Sequence, residues 1–426
     1  MVTDTIFALS SGLPPAGIAV VRVSGPASFQ AAEKIIGRIP PPRAAVVAQL
    51  RNPFDQAPID QGLVIVFPAP ATFTGEDVVE FQIHGGPAVI DCLLTILERI
   101  GLRLAEPGEF TRRAFDNGKL DLSQAEGLAD LLEARTESQR VQALSLVGGR
   151  LRDSAERWRE VILSLMANAE AGLDFSDESD VTLTDDDQTI QALRNELAAH
   201  LDRAAFGQKI RDGLTIAVIG EPNVGKSSLV NALSQRDVAL VSDTPGTTRD
   251  VIEVQLDLGG ISVTLMDTAG LRESDDPIER QGVARARDRA AAADLVLHLA
   301  ESEPPETLGE VVLSKCDAKG IAGGWHDGRL HVSAETGAGL MELEAWMINW
   351  AERQVRTGEP ALISRLRQRT SLAQAVDRLD EANQQSDPVL KAESLRLSAR
   401  ALDEITGRVG AEQVLDGVFG RFCIGK

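Results

Sequence analysis

A glycine-rich run that ends in a lysine and a serine, residues 220–227, has the composition of a phosphate-binding loop. It follows the apolar run 214–219 and precedes the apolar positions of 229–233, so a strand, a loop and a helix are predicted in that order. In such a loop, backbone N–H groups turn towards the phosphates, Lys226 reaches the β- and γ-phosphates, and Ser227 is a ligand for Mg²⁺. The adjoining residues expected to contact the same ligand are Asn223, Val224, Gly225 and Ser228.

Four further motifs follow in the order typical of a guanine-nucleotide-binding domain. Thr248 is placed to be a second Mg²⁺ ligand, and Asp267 at a strand end can hold the ion through water. Asp317 can accept hydrogen bonds from the N1 and N2 groups of guanine. The remaining residues of these motifs are Pro245, Gly246, Thr247, Thr268, Ala269, Gly270, Ser314, Lys315, Ser333, Ala334 and Glu335. Together the motifs predict binding of a guanine nucleotide.

Two positions depart from the usual pattern of such domains. Ser314 stands where an asparagine is usual, so one bridging amide is missing and weaker nucleotide affinity is expected. Leu271 stands where small GTPases carry the glutamine that orients the attacking water. Because leucine can neither donate nor accept a hydrogen bond, another group must position the water, and Glu279 is the nearest candidate.

Length and charge narrow the class of protein. A chain of 426 residues is too long for one core, so two or three domains are expected. Its 64 acidic against 43 basic side chains give a net charge of −21, which repels nucleic acid on average. RNA binding would therefore need a local basic patch or a basic partner. Three cysteines without paired spacing, and no signal peptide or long apolar run, predict a soluble cytoplasmic protein.

The order of elements predicts a multidomain protein of α/β and α type. Residues 1–118 are predicted as a mixed α+β domain, with strands at 18–23, 63–67 and 78–83 and a helix at 88–100. Helical sequence follows. Residues 119–212 together with 358–426 are predicted as a helical domain, into which a Ras-like P-loop G domain, 213–357, is inserted.

Local signals add detail to the helical part. Ser123 and Glu126 have the spacing of a capping box, ahead of a helix that places Leu128, Leu131 and Leu132 on one face. The acidic stretch 170–187 is predicted as a solvated loop rather than a metal site.

The chain resembles the MnmE (TrmE) family of tRNA modification GTPases over its full length. The segments that carry the resemblance lie outside the common GTPase motifs. They are residues 4–6, 20–25, 73–77, 84–86, 107–111, 118–122, 124–126 and the terminal 422–426.

This resemblance implies a folate-binding N-terminal domain that also forms a homodimer, a helical domain and an inserted G domain. It implies GTP hydrolysis that depends on K⁺ and is activated when two G domains associate. With the flavoprotein MnmG (GidA), the family adds an aminomethyl or carboxymethylaminomethyl group to carbon 5 of the wobble uridine, U34, of certain tRNAs. A tetrahydrofolate derivative, 5,10-methylene- or 5-formyl-tetrahydrofolate, is the implied cofactor.

The resemblance also assigns individual residues. Asn223 matches the asparagine that coordinates K⁺, and Ser242, Thr244 and Thr247 match the loop around that ion, in which Asp243 also contacts GTP. Glu279 matches the glutamate that orients the water. The positions that match folate contacts are Arg22, Glu80, Lys119 and Lys426.

Three alternatives remain open at this point. Cys423 is either a nucleophile or a packed residue of a tail that Phe419, Phe422 and Ile424 anchor in a core. A ribosome-assembly or RNA-associated switch GTPase would carry the same nucleotide motifs, but a basic RNA-binding appendage is expected there. A folate enzyme of the aminomethyltransferase kind would not need complete switch motifs.

Overall fold

The computed structural model describes residues 4–174, 186–236, 238–240, 253–267, 292–305, 309–355, 359–410 and 412–425. Contacts divide the chain into two compact units. The first comprises residues 1–129, 152–159 and 402–426, and the second comprises residues 130–151 and 160–401.

The first unit is built on a mixed sheet. In the described residues its six strands are β1 (Ile6–Leu9), β2 (Ala16–Ser24), β3 (Val46–Arg51), β4 (Pro58–Phe67), β5 (Val78–Gly85) and β6 (Arg103–Leu104). Their order is β3-β4-β5-β2-β1-β6, with β6 parallel to β1 and the other pairs antiparallel. The three predicted strands and the predicted helix are confirmed.

One face of this sheet carries the core of the first unit. Alternate residues of β2, such as Val21 and Val23, are fully buried there against helices α1 (Ser28–Ile36) and α2 (Pro87–Arg99). The opposite face of β2 presents polar side chains, among them Arg22 and Ser24. The period of two in the strand therefore separates a packed face from a face that can do chemistry.

Short helices and the C-terminal segment complete this unit. Helix α3 (Glu109–Asp116) places the buried Phe110 beside Ile6 and Ala8 of β1. Helix α4 (Leu122–Glu133) packs its first turns against residues of α12 (Glu412–Phe419) in a small apolar cluster.

The second unit contains most of the helices. They are α5 (Glu137–Val147), most of α6 (Arg150–Asp174), α7 (Asp186–Asp212), α10 (Leu366–Gln384) and most of α11 (Pro388–Thr406). Helix α7 packs along α10, and Gly207 of α7 lies so close to the Ile363 carbonyl that a Cβ would stand 2.2 Å from the oxygen.

A largely parallel sheet forms the rest of the second unit. In the described residues its seven strands are β7 (Leu214–Ile219), β8 (Glu253–Leu258), β9 (Ile261–Asp267), β10 (Leu295–Ala300), β11 (Glu310–Leu313), β12 (Gly324–His326) and β13 (Arg329–His331). Their order is β12-β13-β11-β10-β7-β9-β8, with β8 and β12 antiparallel to their neighbours. Helices α8 (Lys226–Ser234) and α9 (Leu340–Gln354) contribute to its core.

The predicted capping box of α4 is wrong. The helix begins at Leu122, and the backbone N–H of Gln124 donates to Asp121 Oδ1 at 2.8 Å. The Gln124 side chain accepts from the Asp121 N–H at 3.1 Å, so Asp121 and Gln124 form the box. Burial raises the pKa of Asp121.

Two further predictions about the helices need correction. The buried face of α4 carries Leu122, Ala125 and Ala129, whereas Leu132 is 46% exposed because it lies past the turns that pack. The acidic stretch is helical at both ends, with α6 ending at Asp174 and α7 beginning at Asp186. Alanine and glutamate favour continuation of α6, and carboxylates favour the start of α7 through the helix dipole. The residues between them lie outside the described part of the chain.

Candidate functional sites

The phosphate-binding loop has the predicted strand–loop–helix setting. β7 ends at Ile219, and α8 begins at Lys226 after the N-cap Gly225, whose φ is +105°. Gly220 has a φ of +148°, and a Cβ there would stand 2.1 Å from the Leu299 carbonyl oxygen. Only glycine fits that position, because any side chain would separate the loop from β10. The backbone N–H groups at the N-terminus of α8 are suited to an anion.

The side chain of Lys226, the first residue of α8, folds back onto this loop. This side chain is buried, and Nζ donates to the carbonyl oxygens of Gly220 and Glu221, each at 2.9 Å. Asn223 adopts a φ of +63° between those carbonyls and the helix. Ser227 follows in the first turn of α8.

A cavity of about 170 Å³ adjoins the loop. It brings together residues that the sequence places far apart. From the phosphate loop and α8 come Val224, Gly225 and Ser228, and from the two later motifs come Ser314, Lys315, Asp317, Ser333, Ala334 and Glu335. Leu299 of β10 and Val332 add apolar walls. The cavity therefore extends from the predicted phosphate-binding loop to an end, termed the guanine end, with the groups expected to recognise guanine.

Asp317 is the exposed carboxylate of the guanine end. A hydrogen bond from the Ser333 side chain lowers its pKa, and its own backbone N–H and that of Ala318 act in the same direction. The carboxylate is thus kept ionised and is aimed by a residue of the neighbouring motif. An ionised carboxylate can accept both N–H groups on one edge of guanine.

Ser314 is buried at the root of the same loop. Its N–H donates to the Ala300 carbonyl at 2.8 Å, and its hydroxyl donates to the same oxygen at 3.3 Å. Lys315 next to it pairs with Glu301, Nζ to Oε1, at 2.5 Å. The short serine side chain thus bonds within its own sheet.

Several predicted residues lie outside the described part of the chain. They are Glu279, Ser242, Asp243, Thr244, Pro245, Gly246, Thr247, Thr248, Thr268, Ala269, Gly270 and Lys426. Asp267 is the last residue of β9.

The first unit holds a second polar site. Arg22 of β2 and Glu80 of β5 are register partners, and Arg22 Nε and Nη2 both donate to Glu80 Oε1, at 3.0 and 2.9 Å. Both side chains are half-buried. Lys119 lies further along the chain, after α3, with its Cε 3.2 Å from where a Cβ on Gly75 would be.

The C-terminal tail is anchored to the same unit. Phe419 and Phe422 are buried as predicted, but Ile424 is 48% exposed, so its predicted anchoring role is wrong. Ile424 instead forms a β-bridge with Pro107, and the Ser10 hydroxyl donates to the Gly425 carbonyl at 2.9 Å. Bonds to the backbone of the tail, which require no particular side chain on the tail itself, hold its end. Cys423 is exposed.

Comparison with known proteins gives matches to both parts of the chain. A family model described as the MnmE helical domain matches residues 122–423, and one described as the GTP-binding protein TrmE N-terminus matches residues 5–119. The tRNA modification GTPase MnmE of Azorhizobium caulinodans is 48% identical over 440 residues, which cover 100% of this chain and 99% of that protein. The chain belongs to the MnmE family of tRNA modification GTPases.

Other relatives agree with this membership. The tRNA modification GTPase MnmE of Parvibaculum lavamentivorans is 47% identical over 99% of this chain and 100% of its own length. Among solved structures, the G domain of the T. maritima FeoB iron transporter is 27% identical and covers 32% of this chain and 98% of its own. Its TM-score of 0.24 is too low to support a conclusion. Among the described residues of this MnmE-family GTPase, no helix is long and apolar enough to cross a membrane.

Sequence reasoning missed the surroundings of the Arg22–Glu80 pair. The Arg22 guanidinium carbon lies 5.9 Å from the centre of the Phe73 ring and 5.8 Å from that of Phe110. Arg113 is nearly fully buried and binds Asp4, Glu76 and Glu109. Arg113 lies on the buried face of the amphipathic helix α3. A basic residue at such a position needs acidic partners, so its place in the sequence could have indicated this network.

Proposed function

We propose that this GTPase drives the addition of an aminomethyl or carboxymethylaminomethyl group to carbon 5 of U34 in tRNA, with a folate as one-carbon donor and MnmG as the flavoprotein partner. Family membership supports the tRNA substrate, and two groups of side chains support the ligands. These are the cavity that joins Asp317 to the phosphate loop and the Arg22–Glu80 pair.

We infer the domain organisation from the predicted boundaries. Residues 1–118 would bind folate and form the homodimer, and residues 119–212 with 358–426 would form the helical domain. Residues 213–357 would be the inserted G domain. The sheet of β7 to β13 and helix α9 lie wholly inside this last range. The start of β7 at Leu214 supports its lower limit, and the end of α9 at Gln354 supports its upper limit.

GTP is suited by charge to the cavity and the adjoining loop. Lys226 and the N-terminus of α8 are suited to the phosphates, and Asp317, aimed by Ser333, is suited to the N1 and N2 groups of guanine.

Two cations are proposed beside the phosphates. Ser227 and Thr248 would hold Mg²⁺, and Asn223 with Ser242, Thr244 and Thr247 would hold K⁺. Hydroxyl and amide oxygens are suitable ligands for both ions. When bound, the ions would supply positive charge where negative charge develops during hydrolysis. Glu279 would orient the attacking water in place of the missing glutamine.

A folate fits the second site. Arg22, Glu80, Lys119 and Lys426 would contact it, which gives cations for its carboxylates and a carboxylate for its ring nitrogens. The charges of the half-buried Arg22–Glu80 pair are partly shielded from water, which strengthens charge-assisted hydrogen bonds to a ligand.

The proposed partners follow from the same account. Hydrolysis would be activated when the G domains of a homodimer associate, and MnmG would provide the flavin. Because the chain carries a net charge of −21, tRNA is expected to bind through the complex.

The Arg22–Glu80 pair is the observation that carries the folate part of this proposal. The test is purification of the full chain from cells that express MnmG. Copurification of a flavoprotein and release of a tetrahydrofolate on denaturation are expected. A preparation that retains GTP hydrolysis but yields neither would favour the switch-GTPase alternative.

A further inference from the structure

Residues 72–77, between β4 and β5, form a segment that we term the Phe73 loop. Thr74 is fully buried, and its hydroxyl shares a 2.7 Å hydrogen bond with that of Ser24. Asn117 Nδ2 donates to the Thr74 carbonyl, also at 2.7 Å. The loop is thus fixed to β2 on one side and to the end of α3 on the other.

Glu76 fixes the loop at a second point. Its Oε2 accepts from Ser24 Oγ at 2.7 Å, and both of its oxygens lie 3.2 Å from Arg113 Nη1. Because the Arg113 side chain is only 3% exposed, its charge depends on this carboxylate and on Asp4 and Glu109. Two inward residues therefore hold the loop in one conformation.

Phe73, between these fixed points and β4, is turned outward. Its side chain is 38% exposed, yet the ring lies against the Arg22 guanidinium at 5.9 Å. The buried Phe110 ring lies 5.8 Å from the same carbon. Arg22 is thus in contact with one ring that belongs to the core and one that is accessible to a ligand.

Glu80 completes this surface with a hydrogen-bond acceptor. Both bonds from Arg22 end on Oε1, and within the described part of the chain no protein group donates to Oε2. The side chain is 18% exposed, so Oε2 can be reached from outside. A fixed carboxylate oxygen beside an aromatic face suits a flat ring with N–H groups on its edge.

Lys119 flanks the loop on its other side. A Cβ on Gly75, whose φ is +80°, would stand 3.0 Å from Asn117 Cβ and 3.2 Å from Lys119 Cε. The loop therefore links the Arg22–Glu80 pair to the predicted cationic contact at Lys119.

We propose that Phe73 is a binding residue whose ring stacks on the conjugated ring of the folate that the Arg22–Glu80 pair would hold. This inference rests on the proposed folate site. The Phe73 loop is the rigid support that holds the stacking ring in place before the ligand arrives, and Thr74 is a positioning residue.

Calorimetric titration of the full chain with 5-formyl-tetrahydrofolate tests this assignment. Phe73→Ala should weaken binding at least about tenfold, on the order of the loss of one ring-stacking contact. Phe73→Tyr keeps the ring and should stay within about threefold of the wild type. Thr74→Val, which keeps the shape but removes the hydroxyl, should weaken binding severalfold.

Phe54→Ala is the matched control. Phe54 is also an exposed phenylalanine of the first unit in contact with an arginine, since its ring lies 4.2 Å from the Arg99 guanidinium carbon. The folate affinity of Phe54→Ala should equal that of the wild type.

If Phe73→Ala binds folate as tightly as the wild type, the stacking role is wrong while the folate site stands. If the wild type itself binds no folate, the proposed site is wrong and this inference fails with it. Thermal unfolding of each variant shows whether it is folded.

Discussion

Arg22 and Glu80 face each other across β2 and β5, and Arg22 places two nitrogen atoms on a single oxygen of Glu80, at 3.0 and 2.9 Å. The pair has a structural role and a proposed ligand-binding role. Reversal of either charge sets two like charges opposite each other in a half-buried pair, so the single changes Arg22→Glu and Glu80→Arg should each lower stability by about 1–3 kcal/mol.

The exchange of the two residues separates these roles. In Arg22→Glu/Glu80→Arg, opposite charges again face each other in register, so most of the lost stability should return. Folate binding should not return, because the acceptor and the cation have changed places. Urea unfolding and calorimetric titration on the same samples provide both readouts. Recovery of folate affinity in the exchanged variant would mean that the pair acts on structure alone.

Potassium should be required for fast hydrolysis. Asn223 has a φ of +63° in the phosphate loop, and the usual water-orienting glutamine is replaced by Leu271. Replacement of KCl by NaCl at equal ionic strength should slow GTP turnover at least about tenfold, while nucleotide affinity stays within about twofold. Asn223→Ala should remove the difference between the salts. Equal wild-type rates in both salts would contradict the proposed ion site.

Ser314 should limit nucleotide affinity. Its hydroxyl donates to Ala300 at 3.3 Å, whereas an asparagine is long enough to bridge towards the phosphate loop. Ser314→Asn should therefore tighten GTP binding severalfold, in line with one added neutral hydrogen bond of about 1 kcal/mol. Ser314→Ala removes only the 3.3 Å contact and should change affinity less than about twofold. Fluorescent-nucleotide titration measures both, and weaker binding by Ser314→Asn would show that the loop cannot accept the longer side chain.

The attachment of the C-terminal tail should depend on Gly425 more than on Cys423. Gly425 has a φ of +100°, and a Cβ there would stand 2.0 Å from the Leu9 carbonyl oxygen. Gly425→Ala should therefore release the tail and abolish tRNA modification, as should deletion of residues 423–426, while GTP hydrolysis persists. Gly417→Ala in α12 is the matched control, because a Cβ there meets nothing within 4 Å.

Cys423→Ser decides between the two interpretations of the exposed thiol. Retained modification supports a tail that only delivers its end to the site. Complete loss with folate binding intact supports a nucleophile. Normal modification after the four-residue deletion would contradict both interpretations.

Local motifs were the part of the site that the sequence could predict. The strand, loop and helix around Lys226 depend on spacing within a few residues, and the structure brings Gly225 of that loop and Asp317 to one cavity. The partnership of Arg22 with Glu80 depends instead on strand register over 58 positions. The family resemblance indicated both residues as folate contacts, but only the structure shows them bonded to each other.

Other features depend on packing that spacing alone does not determine. Asp121–Gln124 and Ser123–Glu126 both have the spacing of a capping box, and the start of α4 at Leu122 selects the first. Phe73 lies exposed beside Arg22 because the buried Thr74 and the half-buried Glu76 hold the loop. Such tertiary contacts have no signature in one sequence.

The most direct test is mass spectrometry of the wobble uridine in tRNA from cells that lack this chain. Loss of the aminomethyl and carboxymethylaminomethyl modifications at U34 is predicted, with recovery when the wild-type chain is returned. Lys226→Ala, which removes the ammonium group proposed to bind the phosphates, should not restore them. Unchanged modification of U34 in cells without the chain would contradict the account.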